Sequence, residues 1–171
     1  MTSETCYPIQ VFQGHVKTLM GQTRYLFLPT IINLTTPQSE ETGFFCPLVQ
    51  GSQYMASAAL NISPSSLISP TVYLKEPAER VVLDLHRSLG ERFGLSQRQI
   101  DRAYREAWEV QMTFQRDLVQ QGRTFLQSLQ PNDLWVAVSG RPYNLHDERL
   151  SLRLGQNLAK LGIKAIPQDF L

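Results

Sequence analysis

Apolar positions along this chain recur in two rhythms, one helical and one of short continuous runs, and their order predicts its elements. Residues 8–20 follow the helical rhythm. Ile9, Val11, Phe12, Val16, Leu19 and Met20 share a side, Pro8 suits the first turn, and Gly21 supplies a stop. The run Tyr25-Leu26-Phe27-Leu28 ends at Pro29 and has the length of a strand buried on both faces, as parallel sheets use. A polar loop over 35–43 leads to Phe44-Phe45-Cys46-Pro47, and small and apolar residues over 48–60 predict a second helix with proline just inside its start. Residues 62–70 are rich in Ser and Pro and read as a connector, and Thr71-Val72-Tyr73-Leu74 as a short strand.

Two longer helices follow. The first covers about 76–93, with Val81, Val82, Leu85 and Leu89 on one side and Gly94 at its end. The second opens on Ser96-Gln97-Arg98-Gln99, a capping box in which serine and glutamine each satisfy an orphan amide. Ile100, Tyr104, Ala107, Trp108, Gln111, Phe114, Leu118, Phe125 and Leu129 then recur at helical spacing, so the helix is long enough to bridge lobes, with a bend expected near Gly122.

The chain closes on a strand–turn–helix–strand unit: 134–138, the turn 139–144, a helix capped by Asp147 with Leu150, Leu154, Leu158 and Leu161 as its buried stripe, and a strand over 163–166. Such a unit implies a parallel crossover. The expected fold class is therefore α/β, a parallel-sheet lobe or pair of lobes of Rossmann or flavodoxin type with a long bridging helix. The 171 residues suit one domain, divisible into lobes of about 1–75 and 131–171 joined by the helical segment 76–130.

Composition narrows the function classes. Hydrophobic residues make up 42% and charged ones 18%, as in a globular domain, and the formal charge is +1. That balance argues against a nucleic-acid or anionic-membrane surface driven by bulk charge. No apolar run approaches the roughly 20 residues of a membrane span, and the N-terminus does not read as a secretory signal. The expected setting is cytoplasmic and reducing, where cysteines serve more often as ligands, catalytic groups or buried thiols than as a bridge.

Two cysteines stand at expected helix starts: Cys6 two residues before Pro8, and Cys46 directly before Pro47. Free amides and the helix dipole at such junctions favour a thiolate, and soft thiolates suit iron–sulfur clusters. The alternative is a pair of ordinary buried thiols, since a spacing of about 40 residues matches no compact ligand pattern. Zinc is disfavoured for want of paired ligands at short spacing. Two cysteines are also too few for a cluster with four protein ligands, so a complete site must borrow from elsewhere.

The turn Gly140-Arg141-Pro142-Tyr143-Asn144 follows the carboxyl end of a strand, the edge where open α/β sheets hold ligands. Arg141 suits a phosphate or carboxylate. The alternative is a structural turn bent by glycine and stiffened by proline; no dinucleotide fingerprint or P-loop accompanies it. Of the histidines, His86 reads as an ordinary helical residue, while His15 and His146 adjoin the motifs. No catalytic residue is assigned.

Together these motifs carry a family resemblance. Thr5-Cys6-Tyr7-Pro8 with Gly14-His15-Val16, then Cys46-Pro47-Leu48-Val49-Gln50-Gly51, then Gly140 to Asp147 with the closing Ile166-Pro167-Gln168-Asp169-Phe170-Leu171, resemble the activase-related proteins of the 2-hydroxyacyl-CoA dehydratase system. The likeness is to the domain found beside their ATPase, itself similar to cluster-binding dehydratase subunits. The resemblance implies that Cys6 and Cys46 are iron ligands of a [4Fe–4S] cluster in the full-length protein, and that the partners are an ATPase domain and a dehydratase or double-cubane reductase. It also implies that this chain is an excised piece of a larger fold, not catalytic alone. The leading expectation is thus a cluster-bearing electron-transfer domain. The others are a dehydratase-like subunit that binds acyl-CoA near Arg141, and a cofactor-free interaction module docked through the long helix.

Overall fold

The computed structural model describes residues 5–35 and 43–171, and most of the polar loop expected over 35–43 lies outside them. The chain is mixed α/β and divides into two compact units, Met1–Arg105 and Glu106–Leu171. No helix of the described residues is long and apolar enough to cross a membrane.

In the first unit, α1 (Tyr7–Leu19) buries Ile9 and Val16, while Leu19 and Met20 of the predicted stripe are exposed. Val16 packs with Leu26 and Ile62 at the centre of the core, flanked by Phe12, Leu28, Leu60 and Leu67. Four short strands follow the helical start: β1 (Leu26–Phe27), β2 (Thr30–Asn33), β3 (Leu67–Ile68) and β4 (Thr71–Tyr73). β1 pairs with β3 and β2 with β4, all parallel.

These pairs are pieces of one ladder. Leu26, Leu28 and Thr30 donate in turn to the carbonyls of Ser66, Ile68 and Pro70, at 2.8, 2.8 and 2.9 Å. The sequence reading ended its strand at Pro29, yet the pairing resumes beyond it. Backbone amides alternate in direction, so the N–H that Pro29 lacks is one that would have faced away from the partner. Pro70 lies on the pairing side, and there a rung is lost. The same error made 62–70 a mere connector, although it holds β3. A second correction concerns burial: Phe27 is 52% exposed, so β1 is covered on one face only.

The expected second helix is split into α2 (Pro47–Gln50) and α3 (Ser52–Leu60). α4 (Ala78–Phe93) buries Val81 and Val82, leaves Leu85 and Leu89 half-buried, and ends at Gly94 in the left-handed region as predicted. Arg92 ties its end to the first unit's ladder. Its guanidinium donates to the carbonyls of Leu67 and Ser65 and lies over the Tyr25 ring.

α5 (Gln97–Ser128) opens on the expected capping box: the Ser96 N–H donates to Gln99 Oε1 at 2.8 Å, and Gln99 N–H to Ser96 Oγ at 3.4 Å. Ile100 is buried in the first unit, and burial pushes the Tyr104 hydroxyl above its ordinary range. The helix continues unbroken through Gly122. The role of that glycine is close approach: a Cβ there would run into the Phe170 carbonyl oxygen.

The second unit pairs β5 (Trp135–Val138) with β6 (Lys164–Pro167) in parallel, Trp135 opposite Lys164 and Val138 opposite Pro167. Between them the single expected helix is replaced by α6 (Pro142–His146), a series of turns, and α7 (Leu154–Lys160). Asp147 does cap, accepting from the N–H groups of Arg149 and Leu150 at 2.9 and 2.8 Å. The turn it caps does not propagate, because Leu152 and Arg153 adopt left-handed φ of 51° and 56°. The predicted stripe accordingly fails in part: Leu150 and Leu158 are half-buried, while Leu154 and Leu161 are exposed.

Candidate functional site

Cys6 immediately precedes α1 with φ −59° and ψ 148°, and Cys46 precedes α2 with φ −50° and ψ 136°. Each cysteine is thus extended while the next residue is helical, the usual geometry of a helix cap. Proline stands in the first turn of both helices. The Cys6 carbonyl accepts from Ile9 and Gln10 at 3.0 and 3.3 Å, and the Cys46 carbonyl from Val49 and Gln50 at 2.8 and 3.0 Å. Neither side chain caps its own helix, so both thiols are left over for other partners. Cys6 is exposed, Cys46 is half-buried, and both are free thiols.

Cys46 is also anchored to the sheet. Phe45 donates to the Ile32 carbonyl at 3.0 Å, and Phe44 bridges Asn33 at the carboxyl end of β2. The buried Asn33 carries its contact onward, its Oδ1 accepting from Lys75 N–H at 3.1 Å. Among the described residues no three of His, Cys, Asp or Glu gather as a metal group. Cys6 and Cys46 are thiols, a donor type that soft metals take.

The turn after β5 is a separate locus in the second unit. Arg141 caps α6 with φ −73° and ψ 145°, and Pro142 again occupies the first turn. Its carbonyl accepts from Asn144 and Leu145 at 2.8 and 3.2 Å. Gln168 braces the turn from the short 3₁₀ segment after β6: Ser139 Oγ donates to Gln168 Oε1 at 2.6 Å, and Gln168 Nε2 donates to the Gly140 carbonyl at 2.9 Å. The next residue, Asp169, meets His146 Nε2 at 3.0 Å. Arg141 and Tyr143 face solvent. The neighbouring cavity, between Val138, Leu145, Leu154 and Pro167, measures about 80 Å³. Pockets that engulf small molecules run to roughly 300 Å³ or more. Any anion at Arg141 is therefore held at the surface.

Of the remaining histidines, His15 is exposed on α1, and the His86 ring fills the space beside Gly90, where a Cβ would meet it at 2.5 Å. On α5, Val110 and Phe114 lie exposed between Glu106, Glu109 and Asp117. The residues missed by sequence reasoning are glutamines. Gln10 donates to the Thr5 carbonyl at 2.8 Å and Gln50 to the Phe45 carbonyl at 2.6 Å, and both stand four residues after a cysteine. That repeated Cys-x₃-Gln spacing was the available signal. Gln168 offered none, since its contacts lie 28 and 29 residues away.

No curated protein and no solved structure matches this chain. The family described as a CoA enzyme activase uncharacterised domain matches it over residues 1–171. With its whole length covered, the chain belongs to the family of CoA enzyme activase domains.

Proposed function

We propose that this chain is the cluster-bearing, electron-transfer domain of an activator of 2-hydroxyacyl-CoA dehydratase, with Cys6 and Cys46 as two of the iron ligands. The observation that carries the reading is the matched pair of cysteines, each in the same cap geometry before a proline-led helix, each with its thiol uncommitted. Thiolates are the ligands that iron–sulfur clusters use, and membership of an activase family supports a redox partner role. The remaining ligands come from outside the chain, from other parts of the parent protein or from a partner. A [4Fe–4S] cluster, when bound, supplies one-electron transfer. The chain's part is to present two thiols from rigid junctions and to anchor one of them to the sheet through Phe44 and Phe45. The proposed partners are an ATPase domain that drives the transfer and a dehydratase or double-cubane reductase that receives the electrons. The proposed setting is the cytoplasm, where thiols stay reduced.

Anaerobic reconstitution with iron and sulfide tests this, on the chain and on its full-length parent, as wild type, Cys6→Ala and Cys46→Ala. Visible absorbance and bound iron in the parent, lost in either variant, are the expected result. A parent that binds no iron, or binds it equally in all three forms, sinks the reading.

A second reading has its own support in Arg141, a solvent-facing guanidinium on a braced turn at the carboxyl end of β5. There the chain is a dehydratase-like subunit that binds the phosphates of an acyl-CoA. A rise in melting temperature with CoA esters, abolished by Arg141→Ala, is the expected signature. Equal shifts in the two proteins would remove Arg141 from the account.

A further inference from the structure

The three helix starts that carry Cys6, Cys46 and Arg141 share one arrangement. In each, the carbonyl of the preceding residue is held by the side-chain amide of a glutamine: Thr5 by Gln10 at 2.8 Å, Phe45 by Gln50 at 2.6 Å, and Gly140 by Gln168 at 2.9 Å. The first two glutamines lie one helical turn beyond their cysteines. The third arrives from the far side of β6, because position 145 of the same turn is a leucine.

The consequence for aim follows from peptide geometry. A carbonyl shares its rigid plane with the N–H of the next residue. Holding the carbonyl before a cysteine therefore fixes rotation about that cysteine's N–Cα bond. The helix start fixes its ψ, since the cysteine carbonyl already accepts two amides. Only χ1 remains to direct the sulfur. The backbone so held is the ordinary one of a helix cap: φ is −59°, −50° and −73° and ψ is 148°, 136° and 145° at Cys6, Cys46 and Arg141. Three unrelated stretches of chain in two units thus hold their outward side chains in nearly the same frame.

We infer that Gln10, Gln50 and Gln168 are positioning residues, which keep Cys6, Cys46 and Arg141 pre-aimed at their ligands. The inference rests on the reading that these three side chains hold ligands, and it adds residues that do so only through their neighbours. Preorganisation of this kind matters because a ligand that must first order its own binding groups loses affinity in proportion.

The test uses Gln10→Met and Gln50→Met, which keep side-chain length and helix propensity and remove only the donor. Gln115→Met, on an exposed face of α5, is the control. Amide exchange is read at residues 9–10 and 49–50, and iron uptake and the visible spectrum are read after reconstitution with ferrous iron and sulfide in the full-length parent. The expected result is crossed. Gln10→Met speeds exchange at 9–10 alone and Gln50→Met at 49–50 alone, by about two- to tenfold for a single lost hydrogen bond. Each weakens iron uptake or alters the spectrum, and Gln115→Met does neither. Unchanged exchange in both variants overturns the tether itself, whatever the iron does. Looser junctions with unchanged iron uptake and spectrum overturn the positioning role. A wild-type parent that takes up no iron defeats the ligand reading, and with it the role of Gln10 and Gln50. Gln168 is then judged separately, by whether Gln168→Met reduces the melting shift with coenzyme A as Arg141→Ala does.

Discussion

The two units solve the same local problem with unequal means. In Met1–Arg105 the buried apolar residues include Ile9, Val16, Leu26, Ile62, Ile68, Val72, Val81, Val82 and Ile100, whereas Ile166 is the fully buried apolar side chain identified in Glu106–Leu171. The second unit leaves Leu152 at 81% and Leu161 at 74% exposure, and Leu134 and Trp135 are open as well. The candidate junctions differ as well. Cys6 and Cys46 are braced from within their own helices, while the Arg141 turn depends on Gln168 from across the sheet. The difference teaches that a bracing amide can come from the next turn of the same helix or, where that position is apolar as at Leu145, from across the sheet.

Core truncation should separate the units most. Ile166→Ala removes the one deep anchor of the second unit and should cost about 2–5 kcal/mol. Val81→Ala in the first unit should cost roughly 1.5–2.5 kcal/mol, since two methyl groups go and other buried side chains of that unit remain. Hydrogen exchange resolved by segment checks both. Ile166→Ala should accelerate 135–138 and 164–167 and spare the first unit's ladder; equal acceleration of β1–β4 would break the comparison. Next comes Gly122→Ala, which drives a methyl group into the Phe170 carbonyl and should lose about 1–3 kcal/mol from overpacking, offset by up to about 1 kcal/mol of helix propensity. A denaturation midpoint that rises would show that the terminal segment gives way freely.

In the first unit, Ser96→Ala removes one half of the α5 capping box and should cost about 0.5–2 kcal/mol, read from the same midpoint. The smallest effect is electrostatic. The Gln130 N–H and then the Lys164 ammonium, at 2.7 and 2.5 Å, hold the Asp133 carboxyl below its ordinary value. A depressed carboxyl stabilises the fold above its unfolded pKa, near 4, and that contribution is lost as pH falls through the folded value. Melting temperature against pH should therefore drop slightly less steeply below pH ~4 in Asp133→Asn than in wild type. Parallel curves would assign the bond no role in stability.

Legibility in the sequence followed locality. The cap at Cys6, the Ser96 box and the Gly94 stop all depend on residues within one turn of each other, and each was readable. The ladder across Pro29 was not, because whether a missing N–H matters depends on which edge the partner takes. Nor was the break at Leu152 and Arg153, where leucine periodicity argued for helix and the backbone turned left-handed. Gln10 and Gln50 stood in plain view at a helical spacing from their cysteines. Gln168 could be found only once β6 lay beside β5.

By itself the sequence determined the α/β character, the two long helices and the proline-led helix starts at Pro8 and Pro47, since hydrophobic spacing and capping act over a few residues. The tertiary structure decided which strands pair, which leucines are covered, why Gly122 is small, and that a glutamine 28 residues away holds the Gly140 carbonyl. Those outcomes depend on which surfaces meet after the chain has closed its loops, and no local energy term carries that information.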